Sequence, residues 1–287
     1  MRITVASAAA AELRTFVSSS TCLLCLTGAG ISTESGIPDY RSPDGSYSKG
    51  HVPMTHQQFV GSAEYRQRYW ARSSIGYAAF SKARPNSGHY ALARGVADGL
   101  VDTIVTQNVD GLHTAAGASD VVDLHGRTDR VVCLDCGALS SRRALQRALT
   151  VMNADWYAEQ TGGGLDRARL RADGDADVTS DALRDFAVPP CRRCGGTLKP
   201  DVVYFGDNVP RERRAVADAA LDACDGLLVV GSSMEVFSGY RFALRAAERG
   251  VPIAILNSGE TRVDRKIPEA VSLRIDARIG EVLGGVF

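Results

Sequence analysis

Short apolar runs alternate with amphipathic stretches along this chain, and that alternation limits the fold more than any other feature. The runs cover residues 21–27, 102–106, 121–124, 201–205, 226–231, 252–257 and 271–275. Amphipathic stretches lie between them, at 89–98, 211–223 and 240–248. A strand that is apolar along its whole length needs cover on both faces, and helices between successive strands supply it. The pattern predicts an α/β fold built on a doubly wound, parallel, Rossmann-like sheet. Ligands of such sheets bind outside the carboxyl ends of the strands, where the strand order switches. Gly28, Gln107, His125, Gly231 and Asn257 fall at or just past those ends.

Two stretches interrupt the alternation. Residues 42–86 are aromatic and basic, broken early by Pro43, Gly45, Gly50 and Pro53, with a helical pattern over Ala63–Phe80. Residues 133–200 hold two cysteine pairs and a polar, Gly- and Asp-rich middle at 161–181. They predict a smaller inserted domain made of a helical insert and a zinc-binding module. On this reading 1–287 is one catalytic domain. Its large part covers about 1–41, 87–130 and 198–287, and its small part about 42–86 and 131–197. The two parts would meet in a cleft over the strand ends. The polar middle, with Gly162-Gly163-Gly164, reads as a surface loop able to reach the cleft mouth.

Composition narrows the function classes. The formal net charge is zero, so bulk electrostatics favour neither nucleic acid nor an anionic membrane. No apolar stretch is long enough to span a bilayer. The first eleven residues carry neither the charged and apolar regions of a secretory signal nor an Arg- and Ser-rich transit pattern, and a cytoplasmic location is expected. Oligomeric state leaves no signature.

The seven cysteines are Cys22, Cys25, Cys133, Cys136, Cys191, Cys194 and Cys224. An odd number in paired spacing argues against a secreted disulfide framework. Cys133-Leu134-Asp135-Cys136 and Cys191-Arg192-Arg193-Cys194 are C-x-x-C knuckles, each followed by glycine. Two knuckles predict one tetrahedral zinc with four thiolates, a closed site that holds structure and does not catalyse. The stretch between them is far wider than the common ribbon spacing of about 15–20 residues, so the extra chain must loop out. Cys22 and Cys25 lie in an apolar strand and read as packed free thiols, and Cys224 as a helix-end residue.

The run Gly28-Ala29-Gly30-Ile31-Ser32-Thr33-Glu34-Ser35-Gly36-Ile37-Pro38-Asp39-Tyr40-Arg41 follows the first strand. Gly28 and Gly30 fit a phosphate-binding turn, but Thr33 stands where the dinucleotide fingerprint has its third glycine. No acidic residue follows at the expected distance of about 20 positions. Spacing alone suits a phosphate loop or an ordinary strand–turn–helix corner. As a string, the run resembles the first signature of the sirtuins, the NAD-dependent protein deacylases. Gln107-Asn108-Val109-Asp110-Gly111-Leu112-His113, Leu124-His125-Gly126 and Gly231-Ser232-Ser233 match that family in order. The resemblance covers nearly the whole chain.

The resemblance implies an enzyme that consumes NAD as a co-substrate and acts on an acylated-lysine protein or peptide. It assigns the general base to His125, whose imidazole titrates near working pH; on position alone, a structural histidine fits equally. It places Gln107, Asn108, Val109 and Asp110 around nicotinamide and its ribose, with Asn108 and Asp110 taking part in catalysis. Without it, Asn108 and Asp110 would read as turn formers. Gly28, Ala29, Gly30, Ser32, Thr33, Pro38, Asp39, Tyr40 and Arg41 would form the first cofactor loop. Gly231, Ser232, Ser233, Asn257, Ser258 and Gly259 would hold the adenosine half, with Ile279 near adenine. An extended peptide would be clamped between Val203, Phe205 and Gly206 on one side and Met234, Glu235 and Val236 on the other.

Tyr69-Trp70-Ala71-Arg72, residues 129–137 and 198–203, and Ser238-Gly239-Tyr240-Arg241-Phe242 resemble the class II branch of the family, which includes a mammalian mitochondrial member. Tyr69 and Arg72 are similar to the pair with which desuccinylating sirtuins hold an acidic acyl group. On a helix the two share a face, but an exposed Arg beside a packed aromatic fits the same spacing. Mono-ADP-ribosyl transfer to protein and an idle NAD-sensing module are the alternative functions.

Overall fold

The computed structural model describes residues 2–43, 45–48, 50, 52–161 and 186–287. The polar middle expected at 161–181 lies, beyond Thr161, outside the described residues, as does His51.

Helix α1 (Ala6–Ser18) leads into strand β1 (Leu23–Thr27), a 3-10 turn over Ala29–Ser35, and helices α2 (His56–Gly61), α3 (Ala63–Phe80) and α4 (Ser87–Ala97). Strand β2 (Thr103–Thr106), the short helix α5 (Leu112–Ala115) and strands β3 (Val121–Asp123), β4 (Gly126–Cys133) and β5 (Leu139–Ser141) follow. After α6 (Arg142–Met152) and α7 (Ala154–Thr161) come β6 (Leu198–Val202), α8 (Arg211–Ala223), β7 (Gly226–Val230) and α9 (Phe237–Glu248). The chain ends with β8 (Ile253–Leu256), α10 (Arg262–Lys266), β9 (Val271–Ile275) and α11 (Ile279–Gly284).

Six strands form one parallel sheet in the order β3-β2-β1-β7-β8-β9. Every residue of β1, β7 and β8 is buried, because both faces carry helices. Side chains alternate across a strand, and β1 shows the consequence. Leu23 and Cys25 join the core with Leu13 of α1, Leu92 of α4 and Leu283 of α11. Leu24 and Leu26 join the opposite core with Leu221 of α8 and Phe242 of α9. Cys25 and Cys224 are packed thiols, 0% and 2% exposed.

The expected strand at 201–205 is displaced. β6 ends at Val202 and pairs antiparallel with β4 in a separate three-stranded sheet, β5-β4-β6. The physical reason is that Lys199 and Asp201 alternate with apolar neighbours, a pattern unsuited to a sheet covered on both faces. Residues 203–205 instead run on as an extended edge: the Val203 N–H donates to the His125 carbonyl at 2.8 Å, and the Phe205 carbonyl accepts from His56 at 2.9 Å.

The two interrupting stretches share one core. Phe59, Tyr69 and Trp70 from α2 and α3 pack with Val131 of β4, Leu145 and Leu149 of α6, Trp156 of α7 and Phe186. An Asn86 cap begins α4, accepting from Gly88 and His89 N–H groups.

Candidate active site

The chain runs outward from β1 through β2 to β3, then returns to build β7, β8 and β9 on the other side. The switch in direction falls between β1 and β7, and a cleft of about 1040 Å³ opens beyond their carboxyl ends. Two loops meet there at backbone distance. The Gly30 N–H donates to the Gly231 carbonyl at 2.8 Å and the Gly28 N–H to Val230 at 3.0 Å. A Cβ on Gly28 would sit 2.8 Å from the Gly231 oxygen, and one on Gly231, at φ 61°, would sit 2.5 Å from the Ile31 nitrogen. The glycines therefore allow two loops to touch. The turn after β1 is a 3-10 helix, not the α-helix of a dinucleotide fingerprint.

His125 follows β3 and faces this cleft. Its Nδ1 lies 3.0 Å from the Gln107 carbonyl and its Nε2 lies 2.7 Å from Ser238 Oγ. A carbonyl only accepts, so Nδ1 carries the proton, and Nε2 is the lone pair that the Ser238 hydroxyl donates to. Burial pushes the imidazole pKa down to about 4; the Gln107 bond opposes this, and nearby Arg213 adds to it. Neutral His125 thus presents an unprotonated nitrogen at pH 7.

Beneath the cleft, Asn108 Nδ2 donates to the Gly28 carbonyl and to Ser32 Oγ, each at 3.1 Å. Ser32 Oγ donates to Asp110 Oδ2 at 2.7 Å. Asp110 also accepts from the Leu112 N–H at 2.9 Å. Burial raises the Asp110 pKa, opposed by these two bonds. The network ties the loops after β1 and β2 into one unit.

Most residues expected at the site line the cleft: Gly28, Ala29, Gly30, Thr33, Asp39, Tyr40, Arg41, Gln107, Asn108, Val109, His125, Gly231, Ser232, Ser233, Asn257, Ser258, Gly259 and Ile279. Val203, Phe205, Gly206, Glu235 and Val236 line it too. Arg41 reaches across it, with Nη1 3.5 Å from Ser233 Oγ.

Six expected residues are not among the lining residues. Ser32 and Asp110 lie below, in the network just described. Pro38 stands beside Asp39 without facing the cleft. Met234 is 1% exposed, packed in the core with Tyr240 and Phe242 of α9, at a positive φ of 58°. Tyr69 packs edge-on against Phe59, Trp70 and Tyr204, and of these four residues Tyr204 lines the cleft. Arg72 follows one turn later on α3.

Two features escaped sequence reasoning. Ser238, the second residue of α9, touches His125; its only signal was membership in the Ser238–Phe242 string. Arg274 donates to the Asn257 carbonyl at 2.9 Å, to the Gly259 carbonyl and to Asp264, bracing the loop that carries Asn257 and Ser258.

The sulfur atoms of Cys133, Cys136, Cys191 and Cys194 all lie within 4.8 Å of one another. Cys133–Cys194 is 3.5 Å and Cys136–Cys191 is 3.9 Å. Four thiolates at about 2.3 Å from a tetrahedral ion would stand roughly 3.8 Å apart, so the cluster fits such a metal. The two knuckles repeat one geometry. Gly137 and Gly195 take positive φ, and their N–H groups donate to Cys133 and Cys191 carbonyls at 3.0 and 2.8 Å. Asp135 Oδ2 accepts from the Thr197 N–H at 2.7 Å and joins the knuckles.

A switch-point cleft lined by a histidine, in a chain that also carries a four-cysteine cluster, narrows the class of protein, and comparison with known proteins makes it specific. A family model described as Sir2 family matches residues 28–238. A Streptomyces coelicolor protein named NAD-dependent protein deacetylase 1 is 51% identical over 251 residues, 88% of this chain and 81% of that protein. A Bos taurus protein named NAD-dependent protein lipoamidase sirtuin-4, mitochondrial, is 48% identical over 274 residues, 95% of this chain and 84% of that one. A solved structure of Sir2 bound to acetylated peptide has a TM-score of 0.72 at 25% identity, covering 96% of this chain and 99% of that one. A Sir2–p53 peptide–NAD+ structure has a TM-score of 0.69 at 26% identity, covering 95% and 94%. This chain belongs to the Sir2 family.

Proposed function

We infer that this chain is an NAD-dependent protein lysine deacylase. It transfers the acyl group from lysine to ADP-ribose and releases nicotinamide. The observation that carries the reading is His125, held through Nδ1 by the Gln107 carbonyl in the wall of a cleft lined by the Gly28, Gly231 and Asn257 loops.

The first loop and the Asn108–Ser32–Asp110 network hold the nicotinamide ribose, and Gly231 to Ser233 with Asn257 to Gly259 and Ile279 hold the adenosine half. The extended edge at 203–206 and residues 235–236 grip the peptide backbone and direct the acyl-lysine inward. The substrate amide oxygen attacks the ribose anomeric carbon, and nicotinamide leaves. His125 then takes the proton of a ribose hydroxyl, whose oxygen attacks the acyl carbon. Water completes the release of free lysine and O-acyl-ADP-ribose. The four-cysteine cluster holds structural zinc, far from the chemistry in role.

The test is a panel of acyl-lysine peptides incubated with NAD and read by mass spectrometry. Nicotinamide, deacylated peptide and O-acyl-ADP-ribose are expected together. Nicotinamide with ADP-ribosylated protein, and no O-acyl-ADP-ribose, would establish the ADP-ribosyltransferase instead.

A further inference from the structure

We propose that Ser238 is a proton relay between the NAD ribose and His125. The proposal rests on His125 as the base and adds a residue to its chemistry. Nε2 has one in-plane lone pair, and the Ser238 hydroxyl at 2.7 Å occupies it. Nδ1 is engaged with the Gln107 carbonyl. A ribose hydroxyl entering the cleft therefore meets no open acceptor on the ring. It does meet Ser238, which lines the same cleft and whose oxygen keeps a further lone pair.

The step balances without another reactant. The ribose O–H bond breaks as its proton passes to Ser238 Oγ. The Ser238 O–H bond breaks as that proton passes to Nε2. Ser238 ends neutral, His125 ends as imidazolium, and the ribose oxygen is free to attack the acyl carbon.

The local fold keeps this arrangement in place. Ser238 sits in the first turn of α9. The next residue, Gly239, has no room for a side chain: a Cβ there would stand 2.7 Å from Gln107 Nε2. Helix α9 thus packs directly on Gln107, whose carbonyl holds the other ring nitrogen. Gln107 Nε2 in turn donates to Ser232 Oγ at 2.9 Å. The His125 carbonyl is pinned by the Val203 N–H. Ring, hydroxyl and cleft wall form one packed unit, with both ring nitrogens engaged.

The experiment compares wild type, Ser238→Ala, Ser238→Thr and His125→Ala on an acetyl-lysine peptide. Exchange of labelled nicotinamide into NAD reads the step before proton transfer, and single-turnover O-acetyl-ADP-ribose formation reads the step after it. Ser238→Ala is expected to keep exchange and the KM for NAD while losing about tenfold or more in product formation. Ser238→Thr, which keeps the hydroxyl, should recover most of it. The solvent-isotope proton inventory should curve in wild type, with two protons in flight, and be linear in Ser238→Ala. Unchanged product formation in Ser238→Ala, or equal loss of exchange and product formation, would overturn the relay. If His125→Ala also forms product at the wild-type rate, the base assignment itself falls; if it fails while Ser238→Ala is normal, only the relay falls.

Discussion

The imidazole rings of His89 and His113 lie 4.9 Å apart between centroids, both sealed from solvent at 0% and 1% exposure. His89 Nδ1 accepts from the Asn86 N–H, and His113 Nε2 meets Thr27 Oγ1 at 2.9 Å. Burial lowers their pKa values to about 4 and about 3, and the neighbouring ring adds to the shift on His113. Both are neutral in the folded state well below the pH at which they protonate in the unfolded chain. Stability is then fully present above about pH 6.5 and is lost as pH falls from there toward the folded values. The loss is about 1.4 kcal/mol per pH unit for each ring. Urea unfolding at several pH values checks this, and His113→Asn should flatten the slope. Equal stability at pH 7 and pH 5 would contradict it.

The contact between Gly30 and Gly231 predicts a cofactor defect. Gly231→Ala places a Cβ against the Ile31 nitrogen at a positive φ, a strain of about 1–3 kcal/mol. The loops after β1 and β7 must part, and both line the cleft. The KM for NAD should rise about tenfold or more, with a smaller change for the peptide. An unaltered KM for NAD would show that the two loops need not touch.

The four-cysteine cluster predicts about one zinc per chain by elemental analysis. Cys133 is also a residue of β4, at the join with β6, so Cys133→Ala should destabilise the small sheet and the aromatic core behind it. Metal-free protein with undiminished thermal stability would show that the cysteines are mere packing.

Tyr69 and Arg72 test acyl selectivity. Neither Tyr69 nor Arg72 is among the residues lining the cleft, so Arg72→Met should lower activity on succinyl-lysine and acetyl-lysine by similar factors. A selective loss of at least tenfold on succinyl-lysine would show instead that Arg72 meets the acyl carboxylate.

The sequence made the parallel sheet and the cleft readable because both rest on local signals. β1, β7 and β8 are unbroken apolar runs, and the site loops begin where those runs stop. The limits of α3 and α8 were legible from periodicity alone. The strand at 201–205 was misplaced because Val202, Val203, Tyr204 and Phe205 look like a buried strand, whereas their pairing is decided by long-range contacts with β4 and His125. Met234 was expected at the peptide as part of the Met234-Glu235-Val236 run that the family resemblance implies; it is buried at a positive φ, for which the sequence carries no marker. Ser238 escaped for a similar reason. Its partner is more than a hundred residues away, and one serine in a helix's first turn ordinarily reads as a cap.

A base at His125 would act only after NAD and peptide are bound. NAD binding and O-acyl-ADP-ribose formation measured in the same His125→Ala protein separate that role from cofactor binding. NAD affinity should stay within about threefold of wild type while product formation falls at least about a hundredfold. Wild-type turnover in His125→Ala would contradict it.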